Sequence, residues 1–424
     1  MIYICNKILK KKNILAMLCR FCKEKLKIKF LDLGKSPLAN NYIAKKDNKK
    51  KEKLYPLKTW FCNSCYLVQC QGFENVKDIF NSDYAYFTSV SKSLSKHFKD
   101  YVKKIIKFLK LTDKSLIVEI GSNDGYLLKN FGNLKKNCIG IEPSKNTAKK
   151  CEKFGIKVIK KFFNYQLVKK INKKKADLII ANNVFAHIPT INDTLKALKA
   201  LLNKNGCINI EFPHLLNLIK FKQFDTIYHE HFFYFSLTSI IIIFKKYNLK
   251  IWKVEKINTH GGSLRIYASH SDEINNIDKS VENILKEEKD FGIKDHNTYE
   301  KFQKKIEKNK NIVSKYLALK KKQNKRIYGY GAAAKSTTLI NYYQINKNIL
   351  KGVFDNSKNK YGKFIPGERI PILKPTIKRL HDCDVIFIFA WNMSKEILNL
   401  LKNKVLKGTK IGVMVPELKI IKYR

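Results

Sequence analysis

The sequence predicts an α/β protein in which two units of alternating strands and helices follow a cysteine-rich N-terminal segment. The first unit has short strand-type runs at residues 115–120, 138–141, 157–159, 176–181 and 207–212. The second unit has such runs at residues 326–330, 352–355 and 385–390. A helix is expected over residues 93–110, and a charged helical arm over residues 275–325 joins the units. This alternation is typical of doubly wound parallel sheets.

The composition is that of a folded protein without a membrane span. Of the 424 residues, 44% are apolar and 12% aromatic, which excludes general disorder. The most apolar run, residues 240–244, is far shorter than the roughly 20 residues of a membrane-spanning helix. Ten cysteines in so long a chain exclude a disulfide scaffold. Residues 1–16 lack a long apolar region and a cleavage site, so we expect no signal peptide, a true start at Met17 and a cytoplasmic protein.

The charge is strongly positive, at +50, because 85 Lys and Arg residues face only 35 Asp and Glu residues. Nearly all of the cations are lysines, whereas a protein that reads phosphates by bidentate contacts favours arginine. Drift toward A/T-rich codons on a solvated surface explains this bias, and a polyanionic partner is the alternative. Either interpretation favours anionic ligands.

Two C-x-x-C pairs mark the N-terminal segment, namely Cys19 with Cys22 and Cys62 with Cys65. Four thiolates in paired knuckles suit a tetrahedral zinc ion, and four cysteines leave no open position for chemistry. We therefore expect a structural zinc ion, although the spacer between the pairs is longer than in a compact zinc ribbon. The alternative is two unrelated pairs of reduced cysteines.

A glycine loop follows the first strand of the first unit and opens a helix. It lacks the G-x-G-x-x-G pattern, but an acidic residue before G-x-x-x-G looks like the loop of S-adenosylmethionine (SAM) methyltransferases. A carboxylate at the end of the next strand suits the ribose hydroxyls, and the fourth strand ends where the methionine part would lie. The expected SAM-binding residues are Glu119, Gly121, Ser122, Asn123, Gly125, Glu142 and Asn183. The alternative is an NAD-type Rossmann unit.

An acid–base cluster lies at Tyr228-His229-Glu230-His231. Histidine and glutamate side chains this close can transfer protons near neutral pH. The H-E-x-x-H pattern of helix-borne zinc sites is absent. His229 and His231 share a face if the segment is extended and diverge if it is helical. A surface cluster with a structural role is the alternative.

A set of motifs occurs in one order along residues 17–415. They are the two C-x-x-C pairs, FLDLGKSPLAN (30–40), DYAYF (83–87), EIGSNDG (119–125), IYHEH (227–231), HGGS (260–263) and YGYGAAAK (328–335). In this combination the sequence resembles the three-domain sugar C-methyltransferases, which act on nucleotide-linked keto-deoxyhexoses. The resemblance implies a zinc-binding domain over residues 17–80, a SAM-dependent methyltransferase domain over 90–255 and a Rossmann-like domain over 256–424.

The resemblance also implies an active site centred on His231 as the base and Glu230 beside it. Tyr228 and one of Tyr84 and Tyr86 are then near the sugar, and the sequence does not decide between the last two. His260 begins a polar turn before a strand, and we expect it to contact the substrate.

A second glycine loop, over residues 329–337, again joins a strand to a helix. Backbone amides at a helix N-terminus suit phosphate, and Lys335 adds a positive charge, so we expect Lys335 to bind substrate. The P-loop pattern is absent because no glycine precedes Lys335. A structural turn inherited from a duplicated domain is the alternative.

The function expected from these residues is SAM-dependent C-methylation of a nucleotide sugar, with SAM and zinc as cofactors. The rival hypothesis is a zinc-containing rRNA or tRNA methyltransferase, which the positive charge favours. Against it, the fourth strand ends in residues 181–185 (ANNVF) without an Asn/Asp-Pro-Pro-aromatic motif, and no Pro-Cys nucleophile occurs. We expect no membrane association, no nucleic-acid partner and a monomer.

Overall fold

A computed structural model describes residues 17–71, 88, 92–171 and 174–421. Three β-sheets organise these residues, and each lies in a different part of the chain. The first sheet begins with three antiparallel strands, β1 (Ile28–Ser36), β2 (Tyr55–Phe61) and β3 (Val68–Cys70). The two C-x-x-C turns lie just before β1 and between β2 and β3. The sheet therefore brings both cysteine pairs to one end.

The second sheet contains five parallel strands at the expected places. They are β4 (Ile117–Ile120), β5 (Cys138–Ile141), β6 (Lys157–Ile159), β7 (Ala176–Asn182) and β8 (Leu202–Pro213). The associated helices are α1 (Lys92–Phe108), α2 (Lys145–Glu152), α3 (Tyr165–Ile171), α4 (Ile191–Leu201), α5 (Leu215–Lys220) and α6 (Leu237–Lys245). The prediction of a doubly wound sheet is confirmed for this unit.

Two antiparallel strands, β10 (Leu249–Ile257) and β11 (Ser263–His270), complete the second sheet. The strand order is β10-β11-β8-β7-β4-β5-β6. Because β11 pairs with β8 over residues 263–268, the sheet continues well past residue 255. The expected boundary between residues 255 and 256 thus lies inside β10.

The short strand β9 (Phe233–Tyr234) lies between α5 and α6 in the chain, but it belongs to the first sheet, where it pairs with β3. It follows the Tyr-His-Glu-His segment by one residue. This pairing holds that segment between the cysteine-rich unit and the seven-stranded sheet.

The third sheet is also Rossmann-like, with the strand order β14-β13-β12-β15-β16-β17. Its strands are β12 (Ile327–Tyr330), β13 (Leu350–Phe354), β14 (Ile372–Leu373), β15 (Val385–Ile388), β16 (Lys410–Val413) and β17 (Lys419–Ile421). Its helices are α9 (Ala334–Tyr343), α10 (Ile377–His381) and α11 (Ser394–Leu401). Only β17 runs antiparallel to its neighbour.

The expected helical arm consists of two helices, α7 (Lys279–Phe291) and α8 (His296–Lys322). Aromatic rings of α8 pack on the first sheet, where Phe302 stacks on Phe30 at 5.0 Å and Tyr299 on Phe61 at 4.0 Å. One hydrophobic core thereby unites the first and third sheets. In the described ranges, no helix has the length and apolar composition needed to cross a bilayer.

Candidate active site

The four paired cysteines converge on one point. Their Sγ atoms all lie within 4.8 Å of one another, with 3.6 Å between Cys19 and Cys65 and 3.4 Å between Cys22 and Cys62. Four thiolates about 2.3 Å from a zinc ion stand about 3.8 Å apart, so this donor set fits tetrahedral zinc. Both turns have the same shape, because the residue after each pair, Lys23 and Tyr66, has a left-handed φ of 67° and 58°.

The first glycine loop, residues 121–125, has a left-handed backbone conformation at both of its glycines. Gly121 and Gly125 have φ values of +67° and +77°, where a side chain is strained. A Cβ atom would also come within 2.6 Å of Val184 Cγ2 at Gly121 and within 2.8 Å of Cys151 Sγ at Gly125. The loop is therefore fitted closely to its surroundings at both glycines.

Two carboxylates flank this loop at the ends of neighbouring strands. Glu142 accepts hydrogen bonds from the amides of Asn123 at 3.0 Å and Ser144 at 2.8 Å, and a carboxylate so held keeps lone pairs for ribose hydroxyls. Glu119 is buried, and its Oε2 atom has no hydrogen-bond partner in the described part of the chain. Burial, together with Glu142, raises the pKa of Glu119 well above its ordinary value. An uncompensated buried carboxyl suits a cationic ligand such as SAM.

Asn183 and Ser122 complete this side of the site. Asn183 follows β7 in a left-handed conformation, with φ at 55°. Its amide donates to the Glu211 carbonyl at 2.7 Å, and its side chain lies 3.5 Å from the Glu211 carboxylate. Ser122 is buried under Gly140, where a Cβ would stand 2.4 Å from its Oγ. The expected SAM-binding residues thus share the carboxyl ends of β4, β5 and β7.

His231 is half-buried, and one of its ring nitrogens is fixed by a hydrogen bond. Its Nδ1–H donates to the Thr226 carbonyl at 2.8 Å, which leaves Nε2 as the unprotonated nitrogen. The ring packs against Tyr228 at 4.1 Å and His187 at 4.7 Å between centroids. Burial, then His187, lowers the pKa of His231 well below its ordinary value. His231 is therefore neutral at pH 7 and can accept a proton.

His229 and Glu230, which precede His231, have hydrogen-bond partners of their own. The chain turns here, with the His231 amide bonded to the Tyr228 carbonyl at 2.9 Å, so the two histidines diverge. His229 turns to the first sheet, where its Nε2 contacts the Pro56 carbonyl at 3.2 Å. Glu230 is buried and accepts a hydrogen bond from Asn40 Nδ2 at 2.7 Å. Burial raises the pKa of Glu230 to about 7, against the lowering effect of Asn40.

Lys335, on helix α9 beside the third sheet, lies close enough to His231 and His260 to lower the pKa of both. Its Nζ donates to Asn392 Oδ1 at 3.0 Å and stands 4.2 Å from the centroid of the Trp391 ring. Burial lowers the pKa of Lys335 to about 8, although Asp225 acts in the opposite direction. Asp225 in turn accepts from Trp391 Nε1 at 2.7 Å, and burial raises its pKa to about 6.

His260 lies at the same junction, in the turn between β10 and β11. Burial, then the charge of Lys335, lowers the pKa of His260 to about 4. Lys335 and His260 also lower the pKa of His231, so the three groups share one electrostatic environment. The structure thereby brings together Tyr228, His231, His260 and Lys335, and Glu230 precedes His231 in the chain with its carboxylate on Asn40. Tyr84 and Tyr86 lie outside the described residues.

The second glycine loop differs from the expected phosphate cradle. Its amides at Gly331, Ala332 and Ala333 already donate, to the Phe354 carbonyl at 2.7 Å, Asp355 Oδ2 at 2.8 Å and Ser336 Oγ at 3.0 Å. These three amides are therefore not directed at a ligand. Lys335 is the residue of this loop that interacts with His231 and His260. The backbone of the loop fits the alternative interpretation, a structural turn.

Sequence reasoning missed three residues of this site, namely Asn40, His187 and Asp225. His187 follows β7, the strand whose end borders the SAM loop, and this position is a signal that could have identified it. Asn40 and Asp225 come close to the site through contacts between distant parts of the chain, which no local pattern encodes.

Comparison with known proteins shows where this arrangement occurs. Family models match a zinc binding domain at residues 19–80, a methyltransferase domain at 94–254 and a C-methyltransferase C-terminal domain at 258–416. The C-methyltransferase NovU of Streptomyces niveus is 31% identical over 405 residues, which cover 95% of this chain and 96% of that protein. This chain belongs to the C-methyltransferase family. The expected family is thus confirmed.

The C-methyltransferase also has solved structural neighbours of low similarity. A SAM-dependent methyltransferase of Thermotoga maritima is 17% identical, covers 46% of this chain and 98% of its own, and has a TM-score of 0.36. A second one, from Clostridium acetobutylicum, is 13% identical, covers 41% and 91%, and has a TM-score of 0.33. The C-methyltransferase is a class I enzyme that uses SAM and has a zinc-binding N-terminal domain.

Proposed function

We propose that this C-methyltransferase methylates the carbon beside the ketone of a nucleotide-linked keto-deoxysugar, with His231 as the base. The observation that carries the proposal is the neutral His231, whose Nδ1–H is fixed on the Thr226 carbonyl and whose Nε2 is left to take a proton. The family motifs and the cation of Lys335, which suits a substrate phosphate, support the sugar nucleotide.

In the reaction, His231 Nε2 removes a proton from the carbon beside the ketone, and the electron pair moves to the ketone oxygen. The carbon of this enolate then forms the new bond to a methyl group, while His231 keeps the proton as an imidazolium. SAM supplies an electrophilic methyl group and leaves as S-adenosylhomocysteine. The proposed SAM ligands are those at the ends of β4, β5 and β7, namely Glu119, Gly121, Ser122, Asn123, Gly125, Glu142 and Asn183.

A base with a low pKa is unprotonated at neutral pH but has a weak affinity for the proton. The enolate oxygen must therefore be stabilised by nearby donors. We assign this role to the Tyr228 hydroxyl, because its ring lies against His231. Glu230 in its ionised form stabilises the imidazolium that His231 becomes. His260 and Lys335 bind the sugar and the phosphate.

The test separates proton removal from methyl transfer. The enzyme is incubated in deuterium oxide with a 4-keto nucleotide sugar and S-adenosylhomocysteine, and exchange beside the ketone is followed by NMR. Wild type exchanges this proton, whereas His231→Asn loses exchange and methylation and still binds S-adenosylhomocysteine. The matched control is His229→Asn, whose histidine faces the Pro56 carbonyl, and it keeps most of both activities.

The methylation rate decides the role of His231 where its pocket shields the exchanged proton from solvent. General-base catalysis contributes about 10²–10⁴-fold. The methylation rate of His231→Asn should therefore fall at least about 100-fold below that of wild type. A loss below about tenfold would assign the base to another group. If wild type neither exchanges nor methylates 4-keto nucleotide sugars while SAM binds normally, the substrate class is wrong.

A further inference from the structure

The Glu230 carboxylate is held by a residue of the zinc-binding domain. Asn40 lies in the connection between β1 and β2, and its Nδ2 donates to Glu230 Oε1 at 2.7 Å. Glu230 is only 3% exposed, so water does not replace this bond readily. The backbone of Asn40 also forms a hydrogen bond with this carboxylate, so both contacts come from one residue.

Asn40 is itself fixed by the third sheet. The carbonyl of Ala39 accepts a hydrogen bond from Thr337 Oγ1 at 2.8 Å, and Thr337 belongs to α9. On the other side, the Tyr42 hydroxyl donates to the Ala332 carbonyl at 2.7 Å and lies 3.4 Å from Asn40 Oδ1. The segment around Asn40 is therefore held on both sides, by a hydrogen bond from α9 to Ala39 and by one from Tyr42 to the second glycine loop.

We propose that Asn40 is a positioning residue of methyl transfer, which orients the Glu230 carboxylate toward its catalytic role. The zinc-binding domain then contributes directly to the active site, and the second glycine loop acts as its support. The role in methyl transfer rests on the proposed function of Glu230, whereas the effect on the carboxylate itself does not.

The groups that face Glu230 leave Asn40 as the main stabiliser of its ionised form. Tyr42 is neutral, because burial, then Asp355 and Glu230, raises its pKa well above the ordinary value. His231 is neutral at pH 7, and His187 contacts the backbone of Glu230 rather than its carboxylate. A purely structural role for Asn40 would leave the titration of Glu230 unchanged, and this difference makes the proposal testable.

The experiment measures the titration of Glu230 without any sugar substrate. Infrared difference spectra of the zinc-loaded enzyme follow the carbonyl stretch of protonated carboxyl groups against pH, and Glu230→Gln identifies the band. Asn40→Ala should raise the pKa of Glu230 from about 7 by at least about one pH unit, because a hydrogen bond to a charged group is lost. The matched control is Asn41→Ala, which removes the adjacent exposed amide and should leave the band unchanged.

Activity supplies the second readout. With a 4-keto nucleotide sugar, Asn40→Ala should lower kcat at least about tenfold and leave KM within about twofold, because a misplaced catalytic group slows the chemical step. If Asn40→Ala fails to fold, the isosteric Asn40→Asp replaces the donor by an acceptor and should raise the same pKa. A wild-type titration in the folded variant would overturn the proposal. Absence of sugar methylation in wild type would instead overturn only the proposed function.

Discussion

Burial acts in opposite directions on the bases and the acids of this active site. It lowers the pKa of His231 and of His260, and it raises the pKa of Glu119, Glu230 and Asp225. Both shifts favour uncharged side chains, because a buried charge loses its hydration. Lys335 keeps a positive charge at pH 7 all the same, because burial lowers its pKa only to about 8.

The raised pKa of Glu230 has a consequence for folding stability. Glu230 has a pKa of about 7 in the folded state and an ordinary value of 4.5 in the unfolded state. The folded state therefore binds the proton more tightly, and stability falls as pH rises from 4.5 to about 7. Glu230→Gln removes this loss and should raise the free energy of unfolding by roughly 3 kcal/mol at pH 8, with little gain near pH 4.5.

Thermal unfolding of wild type and Glu230→Gln at both pH values checks this prediction. The matched control is Glu300→Gln, at an exposed position of α8, whose stability should follow wild type at each pH. A gain that is the same at pH 4.5 and pH 8 would contradict the titration as its cause. The expected combination of higher stability and lower activity is common where function requires a buried charge.

At the scale of elements, the conformation of the first glycine loop depends on the contact between the end of β4 and the end of β5. The Glu142 carboxylate bonds to the amides of Asn123 and Ser144 and thereby joins the loop to the start of α2. Glu142→Ala should lower the affinity for S-adenosylhomocysteine by at least about tenfold, since charge-assisted hydrogen bonds contribute roughly 1.5–3 kcal/mol.

Calorimetry with S-adenosylhomocysteine measures this affinity. Glu152→Ala is the matched control, because Glu152 lies at the end of the same helix α2 and pairs with Lys160 at the surface. Its affinity should equal that of wild type. An unchanged affinity in Glu142→Ala would place the ribose at another residue.

Local patterns predicted the elements of this protein better than the contacts between them. The C-x-x-C pairs predicted a four-cysteine cluster, and the strand-type runs predicted the five parallel strands of the first Rossmann-like unit but missed β14 and β16 of the second. The second glycine loop joins a strand to a helix as predicted, but its amides were expected to face a phosphate. Asp355, at the end of the next strand, accepts a hydrogen bond from one of them instead. That contact depends on how β13 lies beside β12, which the loop sequence does not encode.

At the scale of the whole molecule, the active site is assembled from three sheets. His231 comes from the segment that ends in β9, Asn40 from the first sheet and Lys335 from the third. The sequence singled out His231 and Lys335 as candidates because each lies in a short motif. Asn40 also lies in a motif, but its partner Glu230 is 190 positions away, so the contact between them is seen only in the fold.

The zinc ion should therefore matter for catalysis as well as for folding of the first sheet. Cys62→Ser removes one thiolate of the cluster and should lower the zinc content well below one ion per chain, because structural zinc contributes directly to folding. Since β3 pairs with β9 and the first sheet supplies Asn40, methylation should fall by at least about tenfold. Binding of S-adenosylhomocysteine should change far less, because its loop lies on the seven-stranded sheet.

Cys70→Ala is the matched control, since Cys70 is a buried thiol of the same sheet outside the cluster. It should keep full zinc occupancy and most of the activity. Metal analysis, calorimetry and the methylation rate are measured on the same preparations of both variants. Full zinc in Cys62→Ser would remove Cys62 from the ligand set. Loss of zinc with wild-type methylation would show that the first sheet positions Glu230 without the metal. Loss of zinc together with equal losses of methylation and S-adenosylhomocysteine binding would mean that the zinc ion supports the whole chain rather than the catalytic segment.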